Sequence, residues 1–154
     1  MSSNTDEWAT PQWLFDELNR IYHFTLDPCS TDENAKCKYH FTEKEDGLKK
    51  SWDCERIFMN PPYGREIGKW VEKCYINSRN DANHVKLALL PARTDTKWFH
   101  DYIYGKAKIY FIRGRLKFND GKGSAPFPSM IAVWNSSYEN FREMTALLTK
   151  IGGY

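Results

Sequence analysis

Arg56-Ile57-Phe58-Met59-Asn60-Pro61-Pro62-Tyr63-Gly64 is the stretch on which the fold turns. Its first four residues read as a short strand, and two prolines without N–H donors stop the ladder at Asn60. Beyond the turn, Ile67, Trp70, Val71, Cys74 and Tyr75 fall at i, i+3, i+4, i+7 and i+8, one face of an amphipathic helix. Downstream, His84 to Leu90 reads as a buried strand ended by Pro91, and Thr94 or Asp95 caps a helix bearing Trp98, Phe99, Tyr102 and Ile103. Lys106 to Ile112 and Met130 to Trp134 follow as strands, with a basic, Gly- and Pro-rich loop between them. Ser136 and Glu139 form a capping box for a last helix carrying Phe141, Met144, Thr145 and Leu148. Upstream, Thr10 reads as an N-cap and Pro11 as the first residue of a helix whose Leu14, Leu18 and Ile21 share a face. Short strands at Tyr22 to Asp27 and Tyr39 to Thr42 complete the pattern. Alternating strands and helices predict a compact three-layer α/β domain with a mostly parallel sheet. The last two strands must be antiparallel, because their loop is too short for a parallel crossover.

The 154 residues make one domain, able to bury roughly 70% of the unfolded surface. With 41% hydrophobic and 27% charged residues, the composition excludes wholesale disorder. A net charge of +2 excludes a histone-like polycation, so a nucleic-acid partner needs a local basic patch. The longest apolar run, Leu87 to Leu90, cannot span a bilayer, and the polar N-terminus carries no secretion signal. The expectation is a cytoplasmic protein with free thiols at Cys29, Cys37, Cys54 and Cys74. A zinc site from Cys29, Cys37, His40 and Cys54 has only one tight ligand pair, Cys37 and His40, so no metal is expected.

Asn60-Pro61-Pro62-Tyr63, at the end of a strand, carries the chemistry. The prolines stiffen the loop and leave its carbonyls free to accept from a ligand. Asn60 adds a side-chain acceptor, and Tyr63 offers a flat ring. Two acceptors beside one ring suit an exocyclic amino group on a planar base, as attack of adenine N6 on a sulfonium methyl requires. Open α/β sheets bind ligands at this edge.

With these residues in place, the chain resembles the phage-type, Dam-like DNA N6-adenine methyltransferases of bacteriophages and prophages. Glu7-Trp8-Ala9-Thr10-Pro11 resembles the N-terminal cofactor motif, Leu26-Asp27-Pro28-Cys29-Ser30 the first-strand motif, and Asn60 to Gly64 the catalytic motif. Leu90 to Thr96, Phe111 to Phe118 and Ala125 to Ser129 are more particular to that family, so the likeness spans about residues 7 to 134. The resemblance implies a Rossmann-like class I methyltransferase fold, S-adenosylmethionine as donor and double-stranded DNA as partner. It implies that Asn60 and the Pro61 carbonyl hold the amino group, with Pro62 stiffening the turn and Tyr63 stacking on the base. Trp8, Thr10, Pro11, Asp27, Pro28 and Ser30 would line the cofactor, with Asp27 taking its amino group and Asp46 its adenine. Glu43 or Glu45 would take the ribose.

The chain departs from the methyltransferase pattern in one region. Pro28-Cys29-Ser30-Thr31 has no glycine, and only residues 28–45 lie between Asp27 and Asp46, so the first crossover and the strands after it must be abbreviated. Residues 113–128, with Arg113, Arg115, Lys117, Gly121, Lys122, Gly123 and Phe127, form the expected DNA-contact loop, and Arg93 faces the same cleft. A solvated hairpin tip is the bland alternative for this loop. No separate target-recognition domain is expected within 1–154, so base flipping and recognition fall to loops, with a homodimer on a palindromic site as one aid. Rival readings are a methyltransferase acting on RNA or protein glutamine, and a catalytically silent nucleic-acid-binding relative.

Overall fold

The computed structural model describes residues 8–121 and 123–151. Glu7 of the N-terminal motif and Lys122 of the basic loop lie outside them. Helix α1 (Gln12–Tyr22) precedes β1 (Leu26–Asp27), β2 (Tyr39–His40) and a 3-10 turn (Gly47–Lys49). Then come β3 (Ile57–Met59), α2 (Ile67–Asn80), β4 (Lys86–Pro91) and α3 (Lys97–Tyr102). Strand β5 (Lys108–Phe111), the short α4 (Phe118–Gly121), β6 (Ser129–Trp134) and α5 (Tyr138–Ile151) finish the chain.

The strands form one sheet in the order β2-β1-β3-β4-β6-β5. Neighbours from β2 to β4 are parallel, whereas β6 runs antiparallel between β4 and β5. The long ladders are the antiparallel ones. Strands β4 and β6 pair from Lys86↔Trp134 to Pro91↔Ser129, while β1 meets β3 only at Leu26↔Ile57. The sheet is therefore mixed, which corrects the expectation of a mostly parallel one. The abbreviated crossovers leave β1 and β2 only two residues each, and the antiparallel β6-β5 pair closes the opposite edge, as the loop length predicted.

Alternation along the central strands supplies both cores. Leu87, Leu89, Ile131 and Val133 point to the side covered by Leu14 and Leu18 of α1 and by Met144 and Leu147 of α5. Ala88, Leu90, Ala132 and Trp134 point to the side covered by Trp70, Val71 and Cys74 of α2 and Phe99 of α3. Covered on both faces, β4 and β6 are buried throughout, with each full leucine burial worth about 1.5–3 kcal/mol. The one charged member, Lys86, is fully buried and donates to Asp81 Oδ2 at 2.8 Å and to the Glu55 carbonyl. Burial would raise the Asp81 carboxyl, but hydrogen bonds from Lys86 and His84 hold it down at about 2.

Several expected ends move by a few residues. Helix α1 runs through Tyr22, where a strand was expected, because Tyr22 packs into the core and His23 closes the helix at φ 54°. Pro11, not Thr10, stands at its cap, and the Pro11 carbonyl accepts from Leu14 N and Phe15 N. Thr96 caps α3 in place of Thr94 or Asp95, its Oγ1 accepting from Phe99 N. Ser137 caps α5 in place of Ser136, accepting from Asn140 N. Among the described residues no helix is long and apolar enough to cross a membrane.

Candidate active site

Strand directions decide which segments share an edge. Strands β1, β3 and β4 are parallel and end at Asp27, Met59 and Pro91, and β6 begins opposite Pro91 at Ser129. Asp27 to Ser30, Asn60 to Tyr63, Arg93 and the 112–128 loop therefore gather at the carboxyl end of the sheet. The segment Trp8 to Thr10 joins them, since Ala9 N donates to Asn119 Oδ1 at 2.8 Å and Asn119 N to the Ala9 carbonyl at 3.0 Å.

Asn60 is half-buried, and its amide has one possible orientation. Nδ2 donates to the Trp8 carbonyl and, at 2.8 Å, to Thr10 Oγ1. A carbonyl can only accept, so the NH2 group must face Trp8 and the oxygen must face away. That oxygen, Oδ1, is buried and has no hydrogen-bond partner. Such an acceptor normally costs about 1–3 kcal/mol, the signature of a site that waits for a donor. Thr10 was expected to cap a helix and line the cofactor. Pro11 takes the cap, and the buried Thr10 hydroxyl accepts from the Asn60 amide.

Tyr63, expected to stack on the base, is packed into the site's interior. Its ring is buried, its hydroxyl donates to the Leu89 carbonyl at 2.9 Å, and Phe127 and Phe118 approach edge-on at 5.4 Å and 6.4 Å. Burial pushes the phenol well above its ordinary pKa, so the hydroxyl stays protonated and acts as a donor. Trp8 closes the cluster at 5.2 Å from Phe127 and 5.7 Å from Phe118. These rings meet edge to face, the favoured aromatic geometry.

The basic loop is anchored in the core on the α1 and α5 side of the sheet. Ile112, Leu116, Phe118 and Ala125 are buried, and Ala125 N donates to the Leu116 carbonyl at 2.9 Å. Arg113, Arg115 and Lys117 alternate with these residues and are exposed. The loop thus turns its cations outward from a packed base beside Asn60. Arg93 is exposed at the end of β4, close enough to Tyr63 for its charge to act on the phenol.

On the other flank Asp27 is buried, and burial raises its carboxyl to about 6 although the N–H groups of Lys36 and Cys29 donate to it. Nearby, Ser30 Oγ is buried without a partner, and Asn60 N–H donates to the Cys29 sulfur. A raised carboxyl and the orphaned Ser30 hydroxyl beside it fit a ligand that brings a cationic amino group and a further polar group. Pro28 packs against Gly47, where a Cβ would stand 2.0 Å from the Pro28 carbonyl oxygen. Only glycine permits that approach, and it seats the Asp46 turn on the 28–30 loop. Asp46 adopts φ 57° and accepts from Leu48 N, so its carboxylate shapes the turn. Glu45 accepts from both the N–H and the hydroxyl of Thr42, which lowers its pKa and leaves Glu43 the less encumbered acid.

Cys29, Cys37, His40 and Cys54 are not brought together, and no group of three or more His, Cys, Asp or Glu among the described residues is placed to hold a metal. His40 spends Nε2 on Asp32 at 2.9 Å, and Nδ1 lies against the Cys37 and Lys38 carbonyls. Burial pushes Cys37 up to about 12 and Cys29 higher than ordinary, so neither is a thiolate nucleophile. Two residues escaped the sequence reading, Gly47 and Asn119. Each acts through a tertiary contact with no local signature.

The profile of the family described as DNA N-6-adenine-methyltransferase (Dam) matches residues 1–148. A DNA N-6-adenine-methyltransferase of Haemophilus phage HP1 (strain HP1c1) is 32% identical over 120 residues, covering 75% of this chain and 68% of the phage protein. A DNA N-6-adenine-methyltransferase of Escherichia phage T1 is 29% identical over 116 residues, which cover 72% of this chain and 46% of that protein.

Proposed function

Because the chain belongs to the DNA N-6-adenine-methyltransferase (Dam) family, we propose that it methylates N6 of adenine in duplex DNA with S-adenosylmethionine as donor, on a base flipped out of the helix. The observation that carries this reading is Asn60 Oδ1, a buried acceptor without a partner on an amide locked by Trp8 and Thr10. The order β2-β1-β3-β4-β6-β5, with β6 antiparallel, supports a Rossmann-like class I methyltransferase fold whose nucleoside side is abbreviated.

When bound, S-adenosylmethionine supplies an electrophilic methyl group on a sulfonium. Asn60 Oδ1 accepts one N6–H and the Pro61 carbonyl the other, which turns the nitrogen lone pair toward the methyl carbon. The bound donor would supply its methyl to N6 and keep the electron pair of the broken S–C bond on sulfur, and one N6 proton would leave to solvent. Asp27, Ser30 and the turn at Asp46 hold the donor. Asp27 supplies the acceptor for its amino group, and Trp8 and Pro11 border the methionine end. Phe127 meets the Tyr63 ring edge to face at 5.4 Å, so a flipped adenine that stacks on Tyr63 must share the site with Phe127. Unstacking the base costs a few kcal/mol, which contacts from the loop offset.

Arg113, Arg115 and Lys117, with Arg93, supply the base-edge and phosphate contacts. Labelled-methyl transfer to DNA, RNA and a protein extract tests the assignment. Label in adenine of DNA is expected, whereas label confined to RNA or protein would overturn it.

A further inference from the structure

Asn119 joins the basic loop to the catalytic amide. It adopts φ 54°, a left-handed conformation that asparagine tolerates better than most residues. In that pose its N–H donates to the Ala9 carbonyl at 3.0 Å, and its Oδ1 accepts from Ala9 N at 2.8 Å. Two opposed bonds to one residue hold it as a pair of strand bonds would. Ala9 lies between Trp8 and Thr10, whose oxygens hold the Asn60 amide. The same two residues that cap Nδ2 are thus anchored, through Ala9, to the loop bearing Arg113, Arg115 and Lys117.

We propose that Asn119 is a positioning residue for methyl transfer. By clamping Ala9 it keeps the Trp8 carbonyl and the Thr10 hydroxyl on the Asn60 amide, with Oδ1 aimed at the base, and it ties that alignment to the seating of DNA on residues 113–128. This inference rests on the reading of Asn60 as the N6 acceptor. The amide is a rotor held by two acceptors on one short segment. If the segment drifts, both bonds degrade together and Oδ1 loses its aim, and a misplacement of about 1 Å is enough to cost about 10²-fold in rate. The clamp therefore acts on the chemical step more than on DNA affinity.

Glycine keeps the left-handed backbone and the N–H bond while deleting the side-chain acceptor, and aspartate keeps the acceptor. Single-turnover methyl transfer at saturating DNA and cofactor should fall about 10- to 100-fold in Asn119→Gly, with DNA and cofactor Kd changed less than about threefold, and Asn119→Asp should recover most of the rate. In an Asn60→Ala background, Asn119→Gly should add less than about a twofold loss, because its target is gone. A wild-type rate in Asn119→Gly, an equal fold-loss in both backgrounds, no recovery by Asn119→Asp, or a loss expressed wholly in DNA Kd would each overturn the inference. If Asn60→Ala itself transfers methyl at the wild-type rate, the acceptor reading fails and the inference with it. An inactive Asn60→Ala beside a fully active Asn119→Gly sinks the inference alone.

Discussion

The two flanks of the sheet are built differently. Strands β3, β4 and β6, all buried, carry the catalytic side, and β4 and β6 are joined by a six-residue ladder. Strands β1 and β2 carry the cofactor side with two residues each, and side-chain bonds to backbone do the remaining work. Lys36 N to Asp27, Leu48 N to Asp46, Thr42 N to Glu45 and Trp52 Nε1 to the Gly47 carbonyl are of this kind. One flank rests on hydrophobic burial. The other adds to its buried Leu26, Phe41 and Trp52 a set of local polar contacts that are worth less individually and respond to pH and ligand.

The largest effect should come from the ladder flank. Leu89 is fully buried between sheet and helices, and Leu89→Ala should cost about 2–5 kcal/mol in a denaturant midpoint. A loss well under 1 kcal/mol would mean that the burial does not carry the fold.

Asp27 sharpens the contrast from the polar flank. The folded carboxyl holds its proton to about 6, above the ordinary 3.8 of an unfolded one. Its contribution to stability is thus complete below pH 3.8 and is lost as pH rises through 6, on the order of 3 kcal/mol in all. Thermal unfolding without cofactor should show Asp27→Asn gaining on the wild type between pH 4 and pH 7.5, while its affinity for S-adenosylmethionine falls. A Tm difference that does not change with pH would remove the buried charge from the account.

Recognition should separate by residue. Arg115→Ala should lose about 1–3 kcal/mol of discrimination at one base position, whereas Lys117→Ala should weaken all sequences alike and flatten the salt dependence. Turnover on single-base site variants at two salt concentrations distinguishes them. Unchanged behaviour in both would return the loop to a solvated role. The smallest effect belongs to Tyr63→Phe. It removes the bond to the Leu89 carbonyl, worth about 0.5–1.5 kcal/mol of stability, but keeps the ring and most of the activity.

What was legible in the sequence follows the same division. The strand into Asn60 and the helix over Ile67, Trp70, Val71 and Cys74 are periodic patterns, and both stand where expected. The antiparallel final pair followed from loop length alone. The cofactor flank was less legible. Its strands are too short for a period, and Gly47 acts only by meeting Pro28 across the fold. Caps slipped among adjacent candidates, Thr96 for Thr94 or Asp95 and Ser137 for Ser136, because neighbouring hydroxyls look alike until the helix direction is set. At the site, Asn60 was found by motif, but the burial of Tyr63 beneath Phe127 and the bond from Asn60 to Thr10 depend on segments distant in the chain.

The central claim is that Asn60 Oδ1 is the acceptor for the target amino group, and the single-turnover rate of Asn60→Ala on DNA, taken beside its cofactor affinity and Tm, tests it most directly. Losing a positioned polar group in a water-poor site typically costs about 10²–10³ in rate. The account predicts a loss of that size with cofactor Kd and Tm close to wild type. A near-normal rate would contradict it.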